Sequence, residues 1–154
     1  MGSLNRHSRL LGNDPSASDG RTFRGKRVFC SNRGQRGGCG RTFAFFLADI
    51  LPRHTLTASW LWRWLVKLLG GLSLKAAVEQ LALPFALETG YRLRRELQGR
   101  LGSLRERLCR KLAPPPSSHS DPVLQTLDHL QTAFPGSPCP PADFQLCFQR
   151  PFLD

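Results

Sequence analysis

The chain of 154 residues carries 22 Lys and Arg against 11 Asp and Glu, a formal net charge of +11. That length accommodates one modest domain or two very small ones, and 40% hydrophobic residues exclude wholesale disorder. The charge asks for a polyanionic partner, nucleic acid or an acidic membrane surface. It is unevenly placed: residues 1–113 hold 21 basic and 7 acidic side chains, and residues 114–154 hold 1 and 4.

The first twenty residues, MGSLNRHSRLLGNDPSASDG, contain no apolar core of signal-peptide length. The most apolar run, WLWRWLVKLLGGL, is interrupted by Arg63 and Lys67 and is too short to span a bilayer. Five cysteines, an odd number without an export signal, read as reduced thiols. A cytoplasmic, nucleoid-associated protein with no membrane partner is expected.

In chain order, residues 1–52 form a basic, Gly- and Arg-rich arm with short strands at KRVFC and RTFAF and a glycine-rich loop between them. Residues 53–112 read as helical. Thr57 is placed to cap ASWLWRWLVKLL, on which Ser59, Arg63 and Lys67 make a polar stripe. Trp60 and Trp64 are expected in the core and Trp62 at an interface. Gly70-Gly71 stops this helix, and Ser73 caps a second, LKAAVEQLAL. After a turn at Pro84, a third helix runs from about Ala86 to Leu112. Its Leu93, Leu97, Leu101, Leu104, Leu108 and Leu112 make a near-heptad seam, for which the tryptophan-rich helix is the expected cover. Residues 113–154 read as a linker, a short helix and an irregular tail, because nine of the twelve prolines fall there.

The layout at 73–98 matches a helix-turn-helix, whose second helix must offer short or polar residues to a DNA groove. Glu88, Thr89, Arg92 and Arg95 suit the exposed side and Leu87 and Tyr91 the buried side. A basic helical bundle with a solvated arginine face is the plainer alternative. From Tyr91 to Lys111 there are eight basic residues against two acidic, enough to line a phosphate backbone. Cys30 and Cys39 bracket SNRGQRGG, where Arg33 and Arg36 sit among glycines in a loop suited to gripping phosphate. Structural zinc needs four ligands. Cys30, Cys39 and the nearby His7 leave the site open, so no cofactor is expected and zinc is the only candidate.

CSNRGQRGGCGRTF followed by LKAAVEQLALPFALETGYRLRREL resembles the N-terminal DNA-binding region of bacterial insertion-sequence transposases. The resemblance spans about residues 25–111. It implies that Cys30 and Cys39 correspond to a second zinc-ribbon knuckle and that the helix from Ala86 corresponds to a recognition helix. The first knuckle and the catalytic domain of that family have no counterpart here. A start codon placed inside a longer reading frame would explain the missing knuckle.

The expected fold is therefore mainly α: a helix-turn-helix-containing helical bundle with a small N-terminal zinc-ribbon-like arm and an irregular Pro-rich C-terminal tail. The expected function is double-stranded DNA binding, sequence-specific or semi-specific, by a transposase-like module that is not itself an enzyme. Its contacts would come from Arg33, Arg36, Glu88, Thr89, Arg92, Arg94, Arg95 and Lys111. The expected partners are DNA and a separate transposase catalytic chain, with the protein a monomer or weak homodimer. The rival function is a protein-interaction module that uses the leucine seam and Phe144, Phe148 and Phe152.

Overall fold

The computed structural model describes residues 3–13, 20–34, 37–81 and 86–153. The chain divides into two compact units, Met1–Ile50 and Leu51–Asp154. The first is a three-stranded antiparallel sheet of order β1-β2-β3, with β1 Ser3–Asn13, β2 Arg21–Ser31 and β3 Thr42–Phe46. The second holds five helices among the described residues: α1 Ala58–Leu69, α2 Leu74–Gln80, α3 Leu87–Lys111, α4 Pro122–Ala133 and α5 Pro140–Phe148.

Local chemistry accounts for most helix boundaries. The Thr57 side chain accepts the Trp60 N–H at 3.3 Å and Ser73 accepts the Ala76 N–H at 3.2 Å, each satisfying a donor the helix cannot. Asp121 does the same for α4, accepting the Val123 N–H at 2.8 Å. Prolines open the last two helices. Pro122, Pro140 and Pro141 stand in first turns, where a missing N–H leaves no bond unmade.

The core of the helical unit gathers Leu61, Trp64 and Leu65 of α1, Leu93, Leu97, Leu104 and Leu108 of α3, Leu127 and Leu130 of α4, and Phe144 of α5. Phe152 and Leu153, beyond α5, are buried with them. Phe144 stacks near Phe148 and Phe152 at centroid separations of 4.7 and 5.6 Å. Polar side chains fasten α4 to α3 and its end as well. Arg105 donates to the Pro122 carbonyl and to Thr126 Oγ1, both at 2.8 Å. The buried His129 ring bonds the Leu112 carbonyl at 2.8 Å.

These features correct the expected fold class. The chain is a mixed protein in which an antiparallel sheet and a helical assembly form separate units, and it is not a mainly α helix-turn-helix bundle. A seven-residue α2 is followed by a 25-residue α3 that serves as the spine of the unit. In the first turns of α3 Gly90 is buried against α2, where a Cβ would stand 3.1 Å from Leu74 and 3.2 Å from Val78, while Glu88, Arg92 and also Tyr91, expected on the buried side, are exposed. The turn expected at Pro84 lies outside the described residues. The irregular tail is also corrected, because the stretch after the short helix α4 forms α5 and sends Phe144, Phe152 and Leu153 into the core. The leucine seam is covered within the chain chiefly by α4, where α1 had been expected. Leu112, at its end, remains exposed.

The tryptophans trade places with expectation. Trp62 and Trp64 are buried, while Trp60 is half-buried with the Arg63 guanidinium 4.5 Å above its ring.

Because Phe144 joins α5 to the core of the other helices, its loss removes both transfer energy and packing. Phe144→Ala should destabilise the helical unit by about 3–5 kcal/mol, a large share of the roughly 5–15 kcal/mol typical of a domain. Urea unfolding followed by tryptophan fluorescence measures this. A change below about 1 kcal/mol would show that α5 is not part of the cooperative core.

Candidate nucleic-acid interface

The sheet is the most lopsidedly charged element of the molecule. Its three strands carry Arg6, Arg9, Arg21, Arg24, Lys26 and Arg27 and contain no Asp or Glu. The register decides which of these act together, because directly opposed residues in an antiparallel pair project to the same face. Arg6 pairs with Val28, and Arg9 pairs with Lys26. Val28 and Lys26 are two apart on β2 and share a face, whereas Arg6 and Arg9 are three apart. The register shift between Arg6 and Ser8 absorbs the extra residue, His7, and so turns both arginines to one side. On β3, Phe45 pairs with Lys26 and Phe43 with Val28. Two rows therefore cross one face, Arg9-Lys26-Phe45 and Arg6-Val28-Phe43. Phe43 and Phe45 are 42% and 57% exposed, and Arg6, Arg9 and Lys26 are exposed.

Glycine lets β3 approach. Gly25 has φ 157°, and a Cβ there would lie 2.0 Å from the Phe45 carbonyl oxygen. No other residue permits this pairing without displacing the edge strand.

The loop from Asn32 to Arg41 is closed at its base by two backbone bonds, Cys30 N–H to the Arg41 carbonyl and Gly40 N–H to the Cys30 carbonyl, both 2.9 Å. Gly38 rides against the Ser31 carbonyl, where a Cβ would come within 1.9 Å. Arg33 and Arg41 are exposed on this loop, and Arg36 lies outside the described residues.

Cys30 and Cys39 are brought together, with the Cys39 N–H donating to Cys30 Sγ at 3.3 Å. A backbone hydrogen bond at Arg41 lowers the Cys39 thiol pKa from its ordinary value, with a smaller contribution from the Cys30 side chain. The zinc implied by the sequence resemblance does not fit the residues present. Four ligands are needed, and among the described residues no group of three or more His, Cys, Asp or Glu could hold a metal ion.

In the helical unit the expected DNA-binding residues scatter by role. Glu88, Arg92 and Arg95 are exposed and Thr89 is half-buried. Arg94 forms an ion pair with Asp121, the residue that caps α4. Lys111 places Nζ 4.9 Å from the Phe134 ring centroid. Base reading by Glu88, Thr89, Arg92 and Arg95 depends on the helix-turn-helix bundle that the mixed fold replaces.

One Ser/His/Asp cluster, not foreseen from chain order, does assemble. Ser117 Oγ donates to Asp128 Oδ2 at 2.5 Å, and His119 Nε2 lies 3.9 Å from the same oxygen. The hydroxyl is engaged by the carboxylate and not by the imidazole, and it also accepts the His119 N–H at 3.2 Å. This geometry fixes a turn and lacks the nucleophile–base bond that acyl transfer requires.

Compared with protein-family models, with curated proteins and with solved structures, the chain matches none. No described helix is long and apolar enough to cross a membrane.

The loop arginines stand out as a cluster in the sequence, whereas Arg6, Arg9 and Lys26 do not. The residues are visible in the sequence as basic positions, but only the bulge at His7 aligns them.

The lowered Cys39 pKa gives a larger thiolate fraction near neutrality. Brief iodoacetamide treatment at pH 7 should label Cys39 ahead of the exposed Cys109 and Cys147, as read by peptide mass spectrometry. Equal labelling of the three would contradict the assigned hydrogen bonding.

Proposed function

We propose that the protein binds nucleic acid, duplex DNA included, through phosphate contacts made by the N-terminal sheet and its loop. The observation that carries this reading is the set of cations on β1 and β2, which share strands containing no carboxylate. Such a surface has no internal counter-charge within the strands and attracts a polyanion by Coulomb attraction and counterion release. Arg33 and Arg41 extend the cationic surface beyond β2, and the open glycines of the loop allow a phosphate to approach the backbone.

In this reading the chain is a binding module that supplies no chemistry of its own. A transposase-like role, with a separate catalytic chain as partner, belongs to the same proposal and rests on the resemblance of residues 25–111. The protein-interaction reading is weaker. Leu93, Leu97, Leu104, Leu108, Phe144 and Phe152, which would have docked the partner, are buried in the protein's own core.

Salt separates phosphate binding from other modes. For duplex DNA, each phosphate contact contributes about −0.9 to the slope of log K against log salt. Replacing Arg6, Arg9 and Lys26 by alanine together should flatten the slope by about 2–3 and weaken binding at least about tenfold at 100 mM salt. Fluorescence anisotropy with a short duplex gives both quantities. Binding that is absent at low salt, or indifferent to the triple substitution, would refute the sheet as the phosphate-binding surface.

A further inference from the structure

Phosphate contacts alone do not account for the rings beside these cations. Phe43 and Phe45 stand on the edge strand β3, on the same face as Arg6, Arg9 and Lys26. Two residues apart on a strand, they are spaced about 7 Å along the edge. Each ring ends a row: one row carries Arg9 and Lys26 beside Phe45, and the other carries Arg6 and Val28 beside Phe43. The row from β1 to β3 crosses two strand spacings, about 10 Å in all. The opposite face differs. Its paired rows, Ser8-Arg27-Ala44, Asn5-Phe29-Thr42 and Leu10-Gly25-Phe46, carry a single cation, and the one ring on β3, Phe46, stands in a row without a cation.

We infer that this face is a stacking site for unpaired nucleotides, in which bases lie on Phe43 and Phe45 while the backbone phosphates run over Lys26, Arg6 and Arg9. The inference rests on the nucleic-acid reading above and adds to its phosphate contacts a site for single-stranded ligands. A base inside a duplex presents its π-face to its neighbours and cannot reach a phenyl ring on a sheet, whereas an unpaired base can. Rings on an open sheet flanked by cations are the arrangement that sequence-tolerant single-strand binding uses. The charge argues for this occupant over an apolar protein partner. A partner buried against the two rings would have to bury three cations with them, and the strands offer no carboxylate to pair those charges. The chemistry is common to single-stranded DNA and RNA.

The test uses the full chain and three labelled probes, a dT 12-mer, a rU 12-mer and a 12-base-pair duplex, followed by anisotropy at 50 and 200 mM salt. Phe43→Ala/Phe45→Ala should weaken both single strands about thirtyfold while changing duplex affinity by less than about threefold and leaving the salt slopes unaltered. Phe43→Leu/Phe45→Leu keeps apolar bulk, guarding against loss of the edge strand, and should still lose most of the single-strand affinity. Phe43→Trp/Phe45→Trp should retain or raise it. Preference for dT or rU would identify the natural strand as DNA or RNA, and either supports the site. Equal loss for duplex and single strands, or no loss for any probe, would overturn the stacking site while leaving the phosphate reading intact. No salt-sensitive binding of any probe by the unaltered protein would sink both. Anionic phosphatidylserine vesicles bound more tightly than the oligonucleotides, with that binding lost in the Leu variant, would overturn the inference in favour of a lipid surface.

Discussion

The register of β2 is the constraint on which the functional surface depends. As the central strand, it fixes what stands beside what on both sides, and a one-residue change would send every side chain to the other face. The bulge at His7 is part of that register. Without it Arg6 and Arg9 would lie on opposite faces, and the sheet would present scattered charges where it now presents a row with Lys26. Gly25 secures the other side by letting the β3 backbone come closer than any Cβ would allow. Coulomb repulsion among Arg6, Arg9 and Lys26 on one face disfavours this sheet, and the backbone pairing of the strands opposes it. A polyanion that neutralises the cations would stabilise the unit through linkage.

The helical unit follows a different logic. Its organising feature is the apolar face of α3, where Leu93, Leu97, Leu104 and Leu108 are almost fully enclosed. Such a face on a helix whose glycines, Gly99 and Gly102, each weaken it by about 1 kcal/mol must be held by packing. The packing comes from α4 and, at the start of α3, from α2. Polar side chains fasten the same elements: Arg94 meets the cap of α4 at Asp121, and Arg105 holds the Pro122 carbonyl. Basic residues that read from sequence as a DNA-facing row thus divide between internal fasteners and exposed positions such as Arg92 and Arg95.

How much of this was legible in the sequence follows from the physics of each signal. Caps at Thr57 and Ser73 and the course of α3 could be read directly, because side-chain caps and heptad spacing are local. The strand β1 could not. Its two register shifts break the period-2 alternation, and SLNRHSRLLGN has no continuous apolar face. The stretch after α4 reads as irregular for an equally local reason, since Pro140 and Pro141 count as breakers in composition but start a helix when they fall at the first turn. The i, i+4 spacing of Trp60 and Trp64 sets Trp62 apart from them and so points it to an interface. The buried arc in fact spans Ala58, Leu61, Trp62, Trp64, Leu65 and Leu68, and it pushes Trp60 to the edge beside Arg63. The sheet surface could be foreseen only in part. The loop cations lie contiguously in sequence, but the pairing that gathers Arg6, Arg9, Lys26, Phe43 and Phe45 is long-range.

The central claim, that the N-terminal sheet is the nucleic-acid surface, is tested most directly by residue-resolved mapping. Amide chemical shifts of the isotopically labelled chain would be followed during titration with a short oligonucleotide at low salt. The account predicts that the largest changes fall on β1, β2, β3 and the loop between Asn32 and Arg41, with α4 and α5 unmoved. Changes concentrated instead on the exposed residues of α3, with the sheet silent, would contradict it.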